Sequence, residues 1–462
     1  MEVLPTNNED EGKLSNQNGL SWFAIFRLGL VQVALGSIVV LTTSTLNRVM
    51  VVELGLAAIV PGVLVGLHYG VQISRPLWGH SSDNTQAKSA RTRWIIGGMG
   101  LLSLAGIGAA ATTLLFESSF VLGMAFALLA FTLIGFGIGA CGTSLLALLA
   151  SRTRPERRPA AASMVWIMMI AGIIITAGGS GANLDPYSHT RLVVITAIVS
   201  AIAFTLTCLA IAGIEAKSAG AAWQANINAN APTFKESLAE VWTDSQARIF
   251  TIFVFISMLA YFTQDLILEP FGGLLFGLTA GETTKLTGVQ HQGVLLGMIC
   301  VGLLGSMLAK RKKAILKVFV VAGCFGSAIS LAALSMAAQW APAWPLELNI
   351  FALGFANGMF AVAAIGTMMT LAGEGKKSKE GIRMGVWGAA QAVAAGLGGF
   401  AGTVLLDLMR WVTATDTIAF SSVFFFEALL FIVSAIIAFG FGVKSSDRFS
   451  GDALSPEITP AE

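Results

Sequence analysis

Twelve apolar runs, each about as long as a bilayer is thick, constrain this chain more than any other feature. They fall at 22–46, 54–74, 94–116, 120–150, 160–182, 191–214, 248–278, 289–309, 316–338, 345–372, 383–406 and 419–442. A helix needs about 20 apolar residues to cross hydrocarbon, whereas a barrel strand needs only ~10. In lipid every backbone N–H and C=O must pair within the protein, so runs of this length must be helices. Composition agrees: 55% of residues are hydrophobic and 12% charged, against about 25% charged in soluble domains. The expected fold class is all-α integral membrane, with twelve transmembrane helices.

Lys and Arg are distributed unevenly between the loops. Arg48, Arg191, Lys285 and Arg410 fall on one side, and the other 24 of the 28 fall on the opposite side. The positive-inside rule then places both termini in the cytoplasm. The expected organisation is a disordered tail over 1–20, six helices over 21–214, a cytoplasmic linker over 215–247, six helices over 248–443 and a second tail over 444–462. In the linker, Thr233 and Glu236 make a capping box, which predicts a short amphipathic helix with Leu238, Val241 and Trp242 on one face. The polar, acidic first residues offer no cleavable signal peptide. A net charge of +2 gives no reason to expect a nucleic-acid partner. Cys141, Cys208, Cys300 and Cys324 lie within apolar runs without metal-binding spacing and read as packing residues.

The two halves resemble each other. "GFGIGACGTSLLALLA" (135–150) and "GFANGMFAVAAIGTMMTLAG" (354–373) start alike, and each precedes a basic loop and a similar helix. The offset is about 220 residues, close to half the chain. Two parallel six-helix repeats around a central cavity form the architecture of the major facilitator superfamily. The stretch "RPLWGHSSDNTQAKSARTRW" (75–94) resembles that superfamily's loop between its second and third spans, with Gly79, Asp83, Arg91 and Arg93 as a conformational gate. The matching loop at 302–313 keeps glycines and bases but lacks the acid.

Several catalytic patterns are decoys or absent. "GIGACG" (137–142) satisfies GxGxxG, but it lies inside an apolar helix and reads as packing. No Walker A, HExxH, GxSxG or zinc-type Cys/His spacing occurs. No enzymatic activity is expected.

Polar groups inside the runs each require a partner. Arg27 is expected to snorkel to the cytoplasmic surface, and Arg48 to pair with Glu53 at a turn between the first two spans. His68 reads as a core histidine bonded to a backbone carbonyl, or as an axial ligand to a metal centre. His80 and His291 are placed in loops or at span ends, and His189 on the surface. Asn357 and Gln391 are expected to bond between helices or line a ligand path.

The most unusual segment is "SMLAYFTQDLILEPFGG" (257–273). Ser257, Tyr261, Asp265 and Glu269 follow i+4 spacing and predict one stripe, with Gln264 beside it. Two carboxylates at that spacing repel when both are ionised, so the stripe must face protein or a wet cavity. Pro270 removes the bond to the Leu266 carbonyl and loosens the helix. From Ile249, Asp265 is about 24 Å along and Glu269 about 30 Å, which places both acids in the outer half of the membrane.

That segment, extended to "SMLAYFTQDLILEPFGGLLFGLTAGETTKLTGVQHQGVLLGM" (257–298), resembles the hallmark of the PucC/LhaA-type family. This is the bacteriochlorophyll delivery branch of the major facilitator superfamily. Further matches are "LTTSTLNRVMVVELG" (41–55), "RPLWGHSSD" (75–83), "RTRWIIGG" (91–98) and "GVWGAAQAVAAG" (385–396). The resemblance implies a non-enzymatic assembly factor in the inner, intracytoplasmic membrane of a phototrophic bacterium. Such a protein binds or delivers bacteriochlorophyll a or a related chlorin to light-harvesting antenna polypeptides, or serves pigment-synthesis enzymes. Its pigment contacts are expected at Glu269, Asp265, Gln264, Tyr261, His68 and Gln391, with His68 or Glu269 as axial ligand to the pigment magnesium. Two rival readings stay open. One is a secondary transporter of a small solute, with Asp265 and Glu269 coupling protons. The other is a chaperone that never touches pigment.

Overall fold

The computed structural model describes residues 19–72, 90–154, 157–214, 242–243, 245–309, 315–373 and 380–440. All regular structure among them is helical. In chain order the helices are α1 Trp22–Glu53, α2 Ile59–Val71, α3 Ala90–Ser118, α4 Phe120–Arg152, α5 Arg158–Asn183, α6 His189–Ile211, α7 Ser245–Phe276, α8 Ala280–Ala309, α9 Ile315–Trp340, α10 Leu346–Gly373, α11 Glu380–Thr413 and α12 Asp416–Gly440. Eleven of them are long and apolar enough to cross a membrane, and α2 is described over 13 residues only. The linker helix at Thr233–Glu236 and the gate residues Gly79 and Asp83 lie outside the described residues. Arg91 and Arg93 open α3.

One expectation about a helix end is corrected, and one is met. The predicted turn at 45–55 is helical as far as Glu53, because α1 continues through two π-helical turns, Leu41–Thr45 and Val49–Glu53. Thr42 donates to the carbonyls of Ile38 and Val39 at 3.1 and 3.0 Å, and Thr43 to Val39 at 2.9 Å. Hydroxyls that compete for helix carbonyls in this way bend and widen a helix. The loosening expected at Pro270 appears in α7, which is not one rod. Its first piece ends at Asp265 and its second runs over Leu268–Phe276. Ile267 N–H reaches back to the Gln264 carbonyl at 3.0 Å across the break.

The buried apolar side chains form two large clusters. One gathers Ile25, Leu102, Phe131 and Leu145 from the first six helices, and the other gathers Phe253, Leu331, Phe360, Trp387 and Phe431 from the last six. Each takes members from across the molecule: Leu266 and Ala280 belong to the first, Val51 and Ala58 to the second. Val51, Ala58 and Ala280 flank the 1–2 and 7–8 connections and Leu266 lies at the break in α7, so the two helix sets interlock toward the end of the bundle opposite the termini. We call this the far end.

Glycines set the closest helix approaches. An added Cβ at Gly135 would lie 2.7 Å from the His68 carbonyl oxygen, and one at Gly354 would run into the Gln290 carbonyl. These are the first glycines of the two repeated segments, and they seat α4 on α2 and α10 on α8 in the same way. Gly137 of the GxGxxG decoy packs likewise, with an added Cβ at 2.8 Å from the Leu102 backbone nitrogen.

Candidate functional site at the far end

Polar residues of the two helix sets meet where α1 crosses the break in α7. Pro270 has no N–H, so the Leu266 carbonyl lacks its helical donor. Asn47 replaces it: Nδ2 donates to the Leu266 oxygen at 2.8 Å, from a side chain that is itself buried. One helical step on, the buried Arg48 guanidinium ion-pairs with Glu53 and donates to the Leu278 carbonyl at 2.9 Å. The expected Arg48–Glu53 pair therefore exists, but inside a helix rather than at a turn. Thr45 and Thr284 share a hydrogen bond at 3.2 Å between α1 and α8.

Glu269 follows the break. It is 2% exposed, and Oε1 accepts from the Thr287 hydroxyl on α8. Its other oxygen, Oε2, is buried with no partner among the described residues. Burying a carboxylate costs free energy unless it is bonded, so one free oxygen marks a place for a further donor. The break also ends the predicted stripe. Ser257 is fully buried and donates to the Val254 carbonyl at 3.3 Å, whereas Tyr261 and Asp265 are half-buried. Glu269 sits on the second piece and leaves that line. Gln264 is fully buried, and both its amide atoms lack partners among the described residues.

Two acids close the far end on either side of this cluster. Asp407 on α11 accepts from the backbone N–H groups of Ala58 and Ile59, at 3.1 and 2.6 Å, and so caps α2. Asp185, after α5, accepts from the Thr279 hydroxyl at 2.6 Å and the Gly281 N–H at 3.1 Å, and so caps α8. A helix start carries orphan N–H groups and partial positive charge, so an acid suits both places. The two acids are related by the repeat's offset of about 220 residues.

Inside this closure an aromatic run crosses from one helix set to the other. Tyr69 on α2 meets Phe262 on α7 edge-on, with centroids 5.9 Å apart. The run continues through Tyr261 at 5.2 Å, Phe360 at 6.3 Å and Phe431 at 5.5 Å. Asp265 lies within electrostatic range of Tyr261 and of Glu427 on α12. Glu427 is fully buried with neither oxygen partnered among the described residues.

The other predicted residues disperse. His68 is buried, with Nδ1 bonded to the Val65 carbonyl at 3.1 Å, and stacks at a tilt on Tyr69. Gln391 is half-buried on α11. Asn357 accepts from Ser327 on α9 at 2.8 Å, an interhelix bond of the expected kind. Arg27 does not snorkel freely; it donates to the carbonyls of Leu209 and Ala212 and caps the end of α6. His189 is not plain surface, because it joins Tyr187 at 2.9 Å to Glu117 at 3.1 Å. His291 is neither a loop nor a span-end residue; it lies well inside α8.

Sequence reasoning passed over Thr45, Thr284, Thr287, Asp185, Asp407 and Glu427. Glu427 had a signal, an acid in the middle of an apolar run. The threonines had none, since hydroxyls are common in membrane helices and only the fold pairs them.

A family model described as PUCC protein matches residues 45–445. The "Bacteriochlorophyll synthase 44.5 kDa chain" of Rhodobacter capsulatus is 53% identical over 421 residues, covering 91% of this chain and 96% of that one. A "Protein PucC" of the same species is 30% identical, covering 90% of this chain and 91% of its own. Among solved structures, the nucleoside transporter NupG superposes with a TM-score of 0.64 at 15% identity, covering 90% of this chain and 98% of its own. A D-xylose-proton symporter superposes with a TM-score of 0.65 at 15% identity, covering 91% of this chain and 97% of its own. At such identity the likeness is one of fold, the twelve-helix major facilitator architecture.

Proposed function

The chain belongs to the PucC family, and from that premise we propose that it is a non-enzymatic assembly factor of a photosynthetic membrane that holds bacteriochlorophyll or a related chlorin for transfer. The observation that carries this reading is the half-buried aromatic run from Tyr69 through Phe262 to Tyr261, which crosses between the helix sets beside half-buried Asp265. A chlorin is flat and mostly apolar, and aromatic rings offer it large contact area in defined geometry. Its magnesium is a hard ion that accepts nitrogen or oxygen donors. Half-buried Asp265 and Gln391 supply polar contacts for its substituents, whereas Glu269 and Gln264, the other contacts expected from sequence, are sealed at 2% and 0% exposure.

The name of the 53% identical relative supports a link to pigment, and the resemblance to the delivery family supports a role beside antenna polypeptides or pigment-synthesis enzymes. Although that name contains the word synthase, we assign this chain binding rather than a chemical step. Its setting is the intracytoplasmic membrane of a phototroph, with both termini cytoplasmic. Purification from photosynthetic membranes in mild detergent tests the reading. Pigment absorbance that co-elutes with the chain and with antenna polypeptides supports it. Antenna polypeptides without pigment would favour a chaperone, and proton-dependent solute flux in pigment-free liposomes would favour a transporter.

A further inference from the structure

We infer that His291 is the axial ligand to the chlorin magnesium, a role that nothing in the sequence pattern had singled out. The inference rests on the pigment-binding reading above. It starts from the imidazole itself. Nδ1 lies 2.9 Å from the Thr287 carbonyl oxygen. A carbonyl only accepts, so Nδ1 carries the proton and Nε2 presents a lone pair. The hydrogen bond made by one ring nitrogen fixes which nitrogen is free to ligate. Among the described residues Nε2 has no partner, and His291 is half-buried.

Its place on α8 points the same way. Thr284, Thr287 and His291 share one helix face by i, i+3 and i+7 spacing. Thr284 bonds to α1 and Thr287 to Glu269 on α7, so this face looks between the helix sets. Exposure rises along it, from 0% at Thr284 and 6% at Thr287 to the half-buried His291. The face is sealed at the far end and opens toward the middle of the bundle. His291 lies roughly 16 Å along α8 from Ala280, near the centre of a ~30 Å hydrocarbon core. The repeat offset also pairs His291 with Tyr69, the half-buried start of the aromatic run.

The two ligands expected from sequence fit less well. His68 is 1% exposed and already engaged. Glu269 is sealed at 2% exposure and holds Thr287. A macrocycle cannot reach Glu269 without opening the far end, nor His68 without parting the helices that bury it, whereas His291 is half-buried and carries one free lone pair, as a five-coordinate magnesium requires. The link from Nδ1 to Thr287, and from the Thr287 hydroxyl to Glu269, also ties the ligand to the closure.

The test uses the purified full-length chain titrated with bacteriochlorophyll a in detergent, read by fluorescence quenching and by resonance Raman bands of magnesium coordination. Wild-type protein should bind saturably with an imidazole-ligated, five-coordinate signature. His291→Ala should bind at least tenfold more weakly and lose that signature, and free imidazole should restore it. His68→Ala should keep both. Because His291→Ala could fail to fold, 15N-histidine labelling of a chain in which His68, His80 and His189 are replaced asks the same question with His291 as the one histidine left, and the magnesium–nitrogen band should shift. If His291→Ala binds with wild-type affinity and signature, or the labelled band does not move, the inference falls while pigment binding stands. If the wild-type chain binds no pigment, the inference and the functional reading fall together.

Discussion

The Asn47 side chain donates to the Leu266 carbonyl, the acceptor that Pro270 leaves without its helical donor four residues on. One helix set thus completes the backbone of the other at a break in α7. The same few residues carry Arg48 to Leu278 and Glu269 to Thr287. We hold that this junction fixes the far end and shapes the space beneath it.

Asn47→Ala should destabilise the detergent-solubilised protein by the cost of one unsatisfied buried carbonyl, about 1–3 kcal/mol, and so lower its thermal midpoint. Pro270→Ala restores an N–H for Leu266, so Asn47→Ala should cost clearly less in that background. Equal costs in both backgrounds would show that the proline and the asparagine are not coupled.

Thr287→Val removes the donor to Glu269 and should destabilise by about 1–3 kcal/mol, because it leaves a buried acceptor unbonded. Glu269→Gln retains an acceptor oxygen for Thr287 and should stay within about 1 kcal/mol of wild type. Thermal unfolding of both variants by tryptophan fluorescence checks the contrast. A larger loss in Glu269→Gln than in Thr287→Val would contradict it.

Asp185→Ala with Asp407→Ala should loosen the far end without unfolding the two cores. An N-cap loss costs about 0.5–2 kcal/mol, less than a core substitution. In a cysteine-free background, a cysteine placed at fully buried Thr284 should resist a membrane-impermeant maleimide. Labelling should speed up severalfold when both acids are removed. An unchanged rate would mean that the acids cap helices but do not hold the closure.

Gly354→Ala should sharply reduce folded yield, because its Cβ meets the Gln290 backbone between α8 and α10. Gly142→Ala meets nothing within 4 Å, and it should be neutral or stabilising by up to about 1 kcal/mol, since alanine is the better helix former. Folded yield on size-exclusion chromatography separates the two.

The helix count, the repeat and the break near Pro270 were legible because they depend on hydrophobic length, on offset and on a missing N–H, all of which are local. The continuation of α1 to Glu53 was not, because "TLNRVMVVE", with Asn47, Arg48 and Glu53 in it, reads as a turn until Leu266, Leu278 and Thr284 are placed beside it. The i+4 stripe assumed an unbroken α7, and the break removed Glu269 from it. His291 was misplaced because Gly288, Gln290, Gln292 and Gly293 around it dilute the hydropathy of a helix interior. Asp185 and Asp407 become partners of helix starts only once the two halves have closed on each other.

Pigment stoichiometry tests the central claim most directly. Wild-type protein, purified pigment-free and titrated with bacteriochlorophyll a in detergent, should quench pigment fluorescence to a sharp end point near one pigment per chain. Linear, unsaturable partitioning indistinguishable from that of empty micelles would contradict the account.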